Sequence, residues 1–212
     1  SRDAADNHHV LAELHAHDRA RGRFVAAADE AGRGCLAGPL VGAAVLFDLD
    51  RRDLLELLDG VNDSKKLTAN KRRALVPRIL VAAERVALRT VDSEEIDRNG
   101  IQEGNLRVLE EALRAVAAAP CERMLVDYYK LPNMHVESIT RGDAVSLTTA
   151  AASVLATEIH AQLMQVLDQQ HPSYGFAQHG GYYSEAHLTA VREHGPCPAH
   201  RRSNRRIAEL LV

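Results

Sequence analysis

Ala26-Ala27-Ala28-Asp29-Glu30-Ala31-Gly32-Arg33-Gly34-Cys35-Leu36-Ala37-Gly38-Pro39 is a small apolar run that ends in two adjacent carboxylates and a glycine-arginine-glycine turn. In a strand successive side chains alternate faces, so Asp29 and Glu30 reach one ligand only where the strand ends and the backbone turns. Gly32 and Gly34 tolerate positive φ and bring bare N–H groups close to whatever lies above the strand, while Arg33 offers a planar, permanently charged donor fork. Carboxylates for a metal beside N–H groups and a guanidinium for a phosphate point to a phosphodiester substrate. An exposed acidic pair before an ordinary turn accounts for the same residues equally well, so the decision rests on the rest of the chain. A dinucleotide-binding glycine loop is excluded, because that motif opens a helix directly after its strand. Here Pro39 is followed by the apolar run 40–47, and the segment reads as a hairpin.

A chain of 212 residues with 46% hydrophobic residues is long enough for one well-cored domain. The expected division is an N-terminal helical extension over 1–22 and a main domain over 23–212. The net charge of -3 excludes indiscriminate polyanion binding, so any nucleic-acid surface must be local. Lys65, Lys66, Lys71, Arg72 and Arg73 form one basic cluster and Arg192, Arg201, Arg202, Arg205 and Arg206 another. Cys35, Cys121 and Cys197 are odd in number and far apart, which fits a reducing compartment. The first twenty residues carry no signal-peptide core, and no apolar run approaches membrane-spanning length. The expectation is a cytoplasmic protein without membrane contact.

Along the chain, residues 10–21 read as a helix with its histidines on a solvated face, and 24–28 and 40–47 as strands. Asn62-Asp63-Ser64-Lys65-Lys66-Leu67-Thr68 is a polar turn with Thr68 as N-cap of a helix over 69–85, in which Pro77 is expected to impose a kink or end the first half. A strand over 86–91, a short acidic turn capped by Ser93, a helix over 101–119 and a strand over 123–127 ending in Asp127 follow. After an edge strand over 135–139, one continuous helix is expected over 143–169, with Asp143 at its N-terminus. At 100° per residue that helix would put Thr157 within about 40° of the face of Asp143. Residues 172–183 form a glycine-rich aromatic loop, followed by a helix over 184–194 and a basic tail. Cys197-Pro198-Ala199-His200 has a zinc-like spacing without a second pair and is not read as a site.

Alternating strands and helices with aspartates at two strand ends describe an α/β domain with acids gathered above its sheet. Asp29, Glu30, Asp127 and Asp143 supply the oxygen ligands that two Mg²⁺ or Mn²⁺ ions about 3.5–4 Å apart require. The chain resembles the bacterial ribonuclease HII (type 2 ribonuclease H) family from about residue 24 to 206. The motifs that carry the resemblance are Asp29-Glu30-Ala31-Gly32-Arg33-Gly34, Asp63-Ser64-Lys65-Lys66-Leu67, Arg141-Gly142-Asp143, the segment 150–156 including Ser153, Tyr174-Gly175-Phe176, Gly181-Tyr182 and His200-Arg201.

The resemblance implies a ribonuclease H-like fold, with a central mixed β-sheet flanked by helices and a helical C-terminal region over about 170–212. It further implies a metal-dependent endoribonuclease that cuts RNA in RNA–DNA hybrids and at single ribonucleotides in duplex DNA, leaving 5′-phosphate and 3′-hydroxyl ends. On that resemblance the four carboxylates bind metal and catalyse. Gly32, Arg33 and Gly34 read the ribose 2′-OH, Tyr182 stacks on the next sugar, and Lys65, Lys66, Arg141 and Ser153 complete the substrate contacts. A monomer is expected. Residues 207–212 show no clear sliding-clamp peptide, so a clamp contact is left open.

Three positions depart from the family pattern: Tyr128 and Gly180 stand where glycine and lysine are usual, and Thr157 replaces a lysine. Tyr128 is expected to crowd a metal beside Asp127 or to point to solvent, and Tyr128→Gly to raise activity. Thr157 is expected to have given up one cationic contact. The alternative reading is a non-catalytic or weakly active hybrid-binding relative.

Overall fold

The structure, a computed structural model, describes residues 2–211, and their side chains from His8 onward. Ser1 and Val212, the outer ends of the two expected units, lie outside the described residues. The elements are, in order, α1 (Arg2–Arg19), β1 (Phe24–Ala31), β2 (Leu40–Asp48), α2 (Leu54–Leu57), a 3₁₀ turn (Ser64–Lys66), α3 (Ala69–Ala82), β3 (Arg85–Val91), α4 (Ser93–Asn99), α5 (Ile101–Val116), β4 (Arg123–Asp127), β5 (Glu137–Ile139), α6 (Gly142–Val145), α7 (Leu147–Gln170), α8 (Phe176–His179), α9 (Glu185–His194) and α10 (Arg205–Ala208). The five strands form one mixed sheet in the order β3-β2-β1-β4-β5. β1–β2 and β2–β3 are antiparallel, whereas β4 runs parallel to both β1 and β5.

Alternation along β1 divides the core. Val25 and Ala27 face a layer built with α1, α3 and α7, while Ala26 and Ala28 face α5. Small residues set the spacing: a Cβ on Gly42 would come within 2.8 Å of Val108, so α5 lies directly on β2. Two smaller cores, one around Met164 and Phe176 and one around Leu36, Leu188 and Ile207, join the helical C-terminal region to the segment after β1. Among the described residues no helix is long and apolar enough to cross a membrane.

Several boundaries differ from the sequence expectations, each for a local reason. β1 does not stop at the acids: it runs to Ala31 and pairs Asp29 with Ala43 and Glu30 with Gly42. What ends there is the pairing with β4, whose last register pair is Ala28 with Val126. The crevice therefore opens where the parallel pairing stops, at the point where β1 has an antiparallel neighbour on one side and a parallel one on the other. α3 continues through Pro77 to Ala82, held by buried Leu75, Ile79 and Ala82 and by the Thr68 hydroxyl accepting from the Lys71 N–H. Asp92, not Ser93, caps α4, accepting from Glu95 N. α1 begins well before residue 10, and His15 and His17 are half-buried against Leu49 O and Asp18 respectively.

The expected helix over 143–169 is two helices. Ser146 has φ −118° and ψ 126°, and its carbonyl and hydroxyl begin α7 afresh. The fully buried Asp18 of α1 completes that start, accepting from Ser146 Oγ at 3.0 Å, Thr148 N at 2.8 Å and Thr148 Oγ1 at 2.7 Å. A carboxylate at a helix N-terminus meets both orphan donors and the helix dipole. The face relation between Asp143 and Thr157 that a single helix implies consequently does not apply.

Candidate active site

The sheet brings the four acids into one cleft of about 500 Å³. Asp29 and Glu30 come from the unpaired flank of β1, and Asp127 is the last residue of its parallel neighbour β4. Asp143 sits in the first turn of α6, which follows β5 directly. The junction is tight: Asp127 Oδ1 accepts from Gly142 N at 2.8 Å, and a Cβ on Gly142 would lie 2.9 Å from Thr149. Behind Asp29 runs a line of hydroxyls. Ser153 lines the cleft with Asp29 and draws its carboxyl down, Ser64 Oγ lies 2.9 Å from Ser153 Oγ, and Thr157 Oγ1 donates to Ser64 Oγ at 3.4 Å. Thr157 thus borders the cleft, and its hydroxyl is spent on the turn that carries Lys65.

The charge in this cleft is poorly compensated by the protein. Burial, then Glu30, pushes the Asp29 carboxyl well above its ordinary range. Glu30 is raised by burial against the lowering pull of Arg33, and Asp143 by burial and the neighbouring Asp63. Lys65 Nζ stands 3.8 Å from Asp143 Oδ2 on an exposed side chain, a weak counter-charge. Among the described residues no three acidic, imidazole or thiol groups already converge as a ligand cage. An open set of oxygen donors with surplus negative charge suits a hard divalent cation such as Mg²⁺, which keeps waters and takes only some ligands from the protein.

The glycine loop after β1 is built from the far end of the chain. Arg201, 2% exposed, donates from Nε to Gly38 O at 3.0 Å, from Nη1 to Arg33 O at 3.0 Å and Cys35 O at 3.1 Å, and from Nη2 to Gly32 O at 2.7 Å. Because each trans peptide sets its N–H opposite its C=O, the carbonyls of Gly32 and Arg33 facing Arg201 turn the N–H groups of Arg33 and Gly34 away from it, and the loop borders the cleft. Gly32 has φ +85° and its missing Cβ would lie 2.5 Å from His160, so only glycine fits. Tyr182 packs against Gly34 and is 45% exposed, its hydroxyl pushed up to about 12 by burial and the Cys35 thiol.

Of the residues singled out in the sequence, the cleft gathers Asp29, Glu30, Asp127, Asp143, Gly32, Arg33, Gly34, Lys65, Ser153 and Tyr182. Lys66 and Arg141 are exposed and outside its wall. Arg141 instead has φ 55° and precedes α6 as its cap residue. Sequence reasoning missed Ser64 and His160, which line the cleft, and the clamping role of Arg201. It also treated Arg72 as one of a surface cluster, whereas Arg72 Nη1 donates to Leu67 O at 2.6 Å and Ser64 O at 3.3 Å, bracing the Lys65 turn. Gly180 adopts φ +59° as the C-terminal cap of α8, a conformation a lysine would enter only with strain.

The loop carrying Tyr182 is held by a chain of neutral imidazoles. Cys197 N donates to His200 Nδ1 at 3.0 Å, His200 Nε2 and His187 Nε2 are 3.1 Å apart, and His187 Nδ1 reaches Tyr182 O at 2.8 Å. With one proton per ring the chain runs donor to acceptor throughout. Burial pushes His200 down to about 4 and lowers His187. The unfolded chain therefore takes up protons near pH 6.5 that the fold refuses, so this stabilisation is complete above about pH 6.5 and is lost as pH falls toward 4. The stability advantage of the wild type over His200→Gln is expected to shrink between pH 7 and pH 5 in thermal melts. A gap that does not change with pH would mean His200 accepts its proton within the fold.

A family model for ribonuclease HII matches residues 26–207. The ribonuclease HII of Pelodictyon phaeoclathratiforme is 43% identical over 186 residues, covering 86% of this chain and 89% of that protein. Among solved structures, the ribonuclease H2 of Pyrococcus horikoshii superposes with a TM-score of 0.72 at 24% identity, covering 88% of this chain and 96% of that one. Bst-RNase HIII in complex with Mn²⁺ superposes with a TM-score of 0.68 at 21% identity, covering 98% and 72%.

Proposed function

The chain belongs to the ribonuclease HII family and is a metal-dependent endoribonuclease acting on RNA–DNA hybrids; from that premise we propose that it also cuts at single ribonucleotides in duplex DNA, leaving 5′-phosphate and 3′-hydroxyl ends. The observation that carries this reading is the juxtaposition of four carboxylates with a loop whose amide N–H groups are turned outward by Arg201. Asp29, Glu30, Asp127 and Asp143 would hold two Mg²⁺ or Mn²⁺ ions, and the Mn²⁺ complex of the structural neighbour supports that choice. Bound there, such ions supply an activated water on one side of the phosphorus and stabilisation of the leaving oxygen on the other.

The chain's own residues do the rest. The outward amides of the glycine loop meet the 2′-OH, the one group that separates ribose from deoxyribose. Arg33 and Lys65 attract the flanking phosphates, with Lys66 and Arg141 acting from outside the cleft. Ser153, beside Asp29 in the cleft, favours the ionised form of its carboxyl against the effect of burial. Cleavage of a DNA duplex carrying one ribonucleotide, compared with full hybrid and all-DNA duplex in Mg²⁺ and in Mn²⁺, tests the proposal. Cutting on the 5′ side of the ribonucleotide with the stated ends supports it, whereas cleavage restricted to long hybrids removes the single-ribonucleotide reading.

Tyr182 has an independent test. Its exposed ring face is positioned to stack on the sugar after the cut, and Tyr182→Ala is expected to lose roughly 1–3 kcal/mol of kcat/KM on the single-ribonucleotide duplex. An unchanged kcat/KM would take Tyr182 out of the substrate contact.

A further inference from the structure

We propose that Tyr128 is a substrate-contacting residue of this enzyme, its ring lying against a sugar of a nucleotide that flanks the cut on the Asp127 side. The inference rests on the reading of the cleft as a hybrid-cleaving site. Tyr128 follows the last residue of β4 and has φ +67°, one of two non-glycine residues with positive φ among the described residues. The turn is pinned on both sides of its apex: Tyr128 N donates to Ile139 O at 2.8 Å, and Tyr129 N donates back to Asp127 O at 2.8 Å. A three-residue turn closed this way with positive φ at its centre is a strained conformation for a bulky L residue.

The fold gains little from the ring in return. Tyr128 is 74% exposed, more than any other exposed large hydrophobic side chain among the described residues, and its aromatic neighbour is Tyr129, edge-on at 5.5 Å. Strain at a bulky residue beside a reactive centre, with no packing to show for it, is the signature of a functional constraint. Exposure also decides between the two expectations for this position. The ring points to solvent and does not line the cleft, so it does not crowd the carboxylates.

Its surroundings define what it would meet. Tyr129 lies 5.8 Å beneath the Arg33 guanidinium and near enough to Glu30 that each shifts the other's ionisation, which ties the turn to the site itself. The next residue, Lys130, is exposed. An outward ring one step beyond a catalytic carboxylate, on a turn that carries the exposed Lys130 and whose Tyr129 lies under Arg33, fits a polyanion whose sugars present flat apolar faces between phosphates. Because the ring lies outside the cleft, the nucleotide it touches is a neighbour of the scissile one.

Tyr128→Gly relieves the strain, so its melting temperature should equal or exceed that of the wild type. On a hybrid duplex its KM should rise roughly tenfold with kcat within about twofold, and Tyr128→Phe should restore KM to within about threefold. The chain contains no tryptophan, so Tyr128→Trp adds a single reporter whose emission should be quenched when hybrid duplex is titrated in Ca²⁺. A KM unchanged in Tyr128→Gly, or Trp emission unmoved in an enzyme that binds and cleaves hybrid, overturns the proposal. A rise in kcat at constant KM also overturns it and assigns the ring to crowding of the carboxylates. Should the wild type neither bind nor cleave hybrid, the reading of the cleft fails first, and that is seen before any variant is made.

Discussion

Asp127→Asn is expected to lower cleavage of hybrid by roughly a thousandfold or more while leaving hybrid binding within a fewfold, because it removes charge where an ion must be held and changes almost nothing else. Asn keeps an oxygen to accept from Gly142 N, the 2.8 Å bond that joins β4 to α6. It also removes a charge that, after burial, adds to the raising of the carboxyls of Asp29, Glu30 and Asp143. Without divalent ions the variant should therefore melt no lower than the wild type. Mg²⁺ or Mn²⁺ should raise the melting temperature of the wild type and have a smaller effect on the variant, by mass action on a site one ligand short. Wild-type turnover in Asp127→Asn would reduce Asp127 to a structural acceptor and dissolve the four-carboxylate constellation. Loss of folding would show the same residue to be needed for the β4–α6 junction alone.

The second large effect is expected at Arg201, which touches no substrate. Its guanidinium satisfies four carbonyls of the loop between β1 and β2 from a position 2% exposed. Arg201→Ala removes the donor from the carbonyls of Arg33, Cys35 and Gly38 and leaves Gly32 O with Cys35 N alone, at a cost of about 3 kcal/mol or more in stability. Arg201→Lys keeps the charge but not the planar fork, and three donors on one nitrogen do not reach four spread carbonyls. It should recover only part of the loss. Both variants should lose discrimination between one ribonucleotide and an all-DNA duplex more than they lose binding, since the amides proposed to meet the 2′-OH belong to the same peptides as carbonyls that face Arg201. Urea unfolding paired with cleavage of the two duplexes reads both effects. If Arg201→Ala unfolds at the wild-type urea concentration with its selectivity intact, the bonds from Leu36 and Ala37 N to Gly181 O hold the loop without the arginine.

Much of this arrangement is local and was readable as such. The β1–β2 hairpin follows from an apolar run, a glycine turn, Pro39 and a second apolar run, and the helices carry their caps at Thr68 and Ser184 in the sequence itself. Asp29, Glu30 and Asp127 stand out because a charged residue at the end of a short apolar strand has few reasons to be there. The positions misread were those where a distant residue overrides local preference. One helix over 143–169 is what the small helical residues favour, yet Asp18 from α1, more than a hundred residues away, supplies the acceptor that lets α7 restart at Ser146. Pro77 is tolerated because three buried residues of α3 hold it against the sheet layer. His200, not read as a metal site for want of a second pair, serves in an imidazole chain that ends at Tyr182 O, a role that its local spacing does not show.

By itself the sequence determined the α/β class, the strand-end acids and the glycine loop, because periodicity, turn chemistry and caps act over a few residues and leave their marks in order along the chain. Only the tertiary structure decided that the crevice opens where β1 loses β4, that Ser64 and Thr157 back the carboxylates, that Arg201 turns the glycine loop outward and that the Tyr128 ring faces solvent. Each of these depends on groups meeting across roughly ninety residues or more of chain, or on which way a side chain points once they have met. Burial, hydrogen-bond direction and close contact exist only after that meeting, and no stretch of sequence carries them alone.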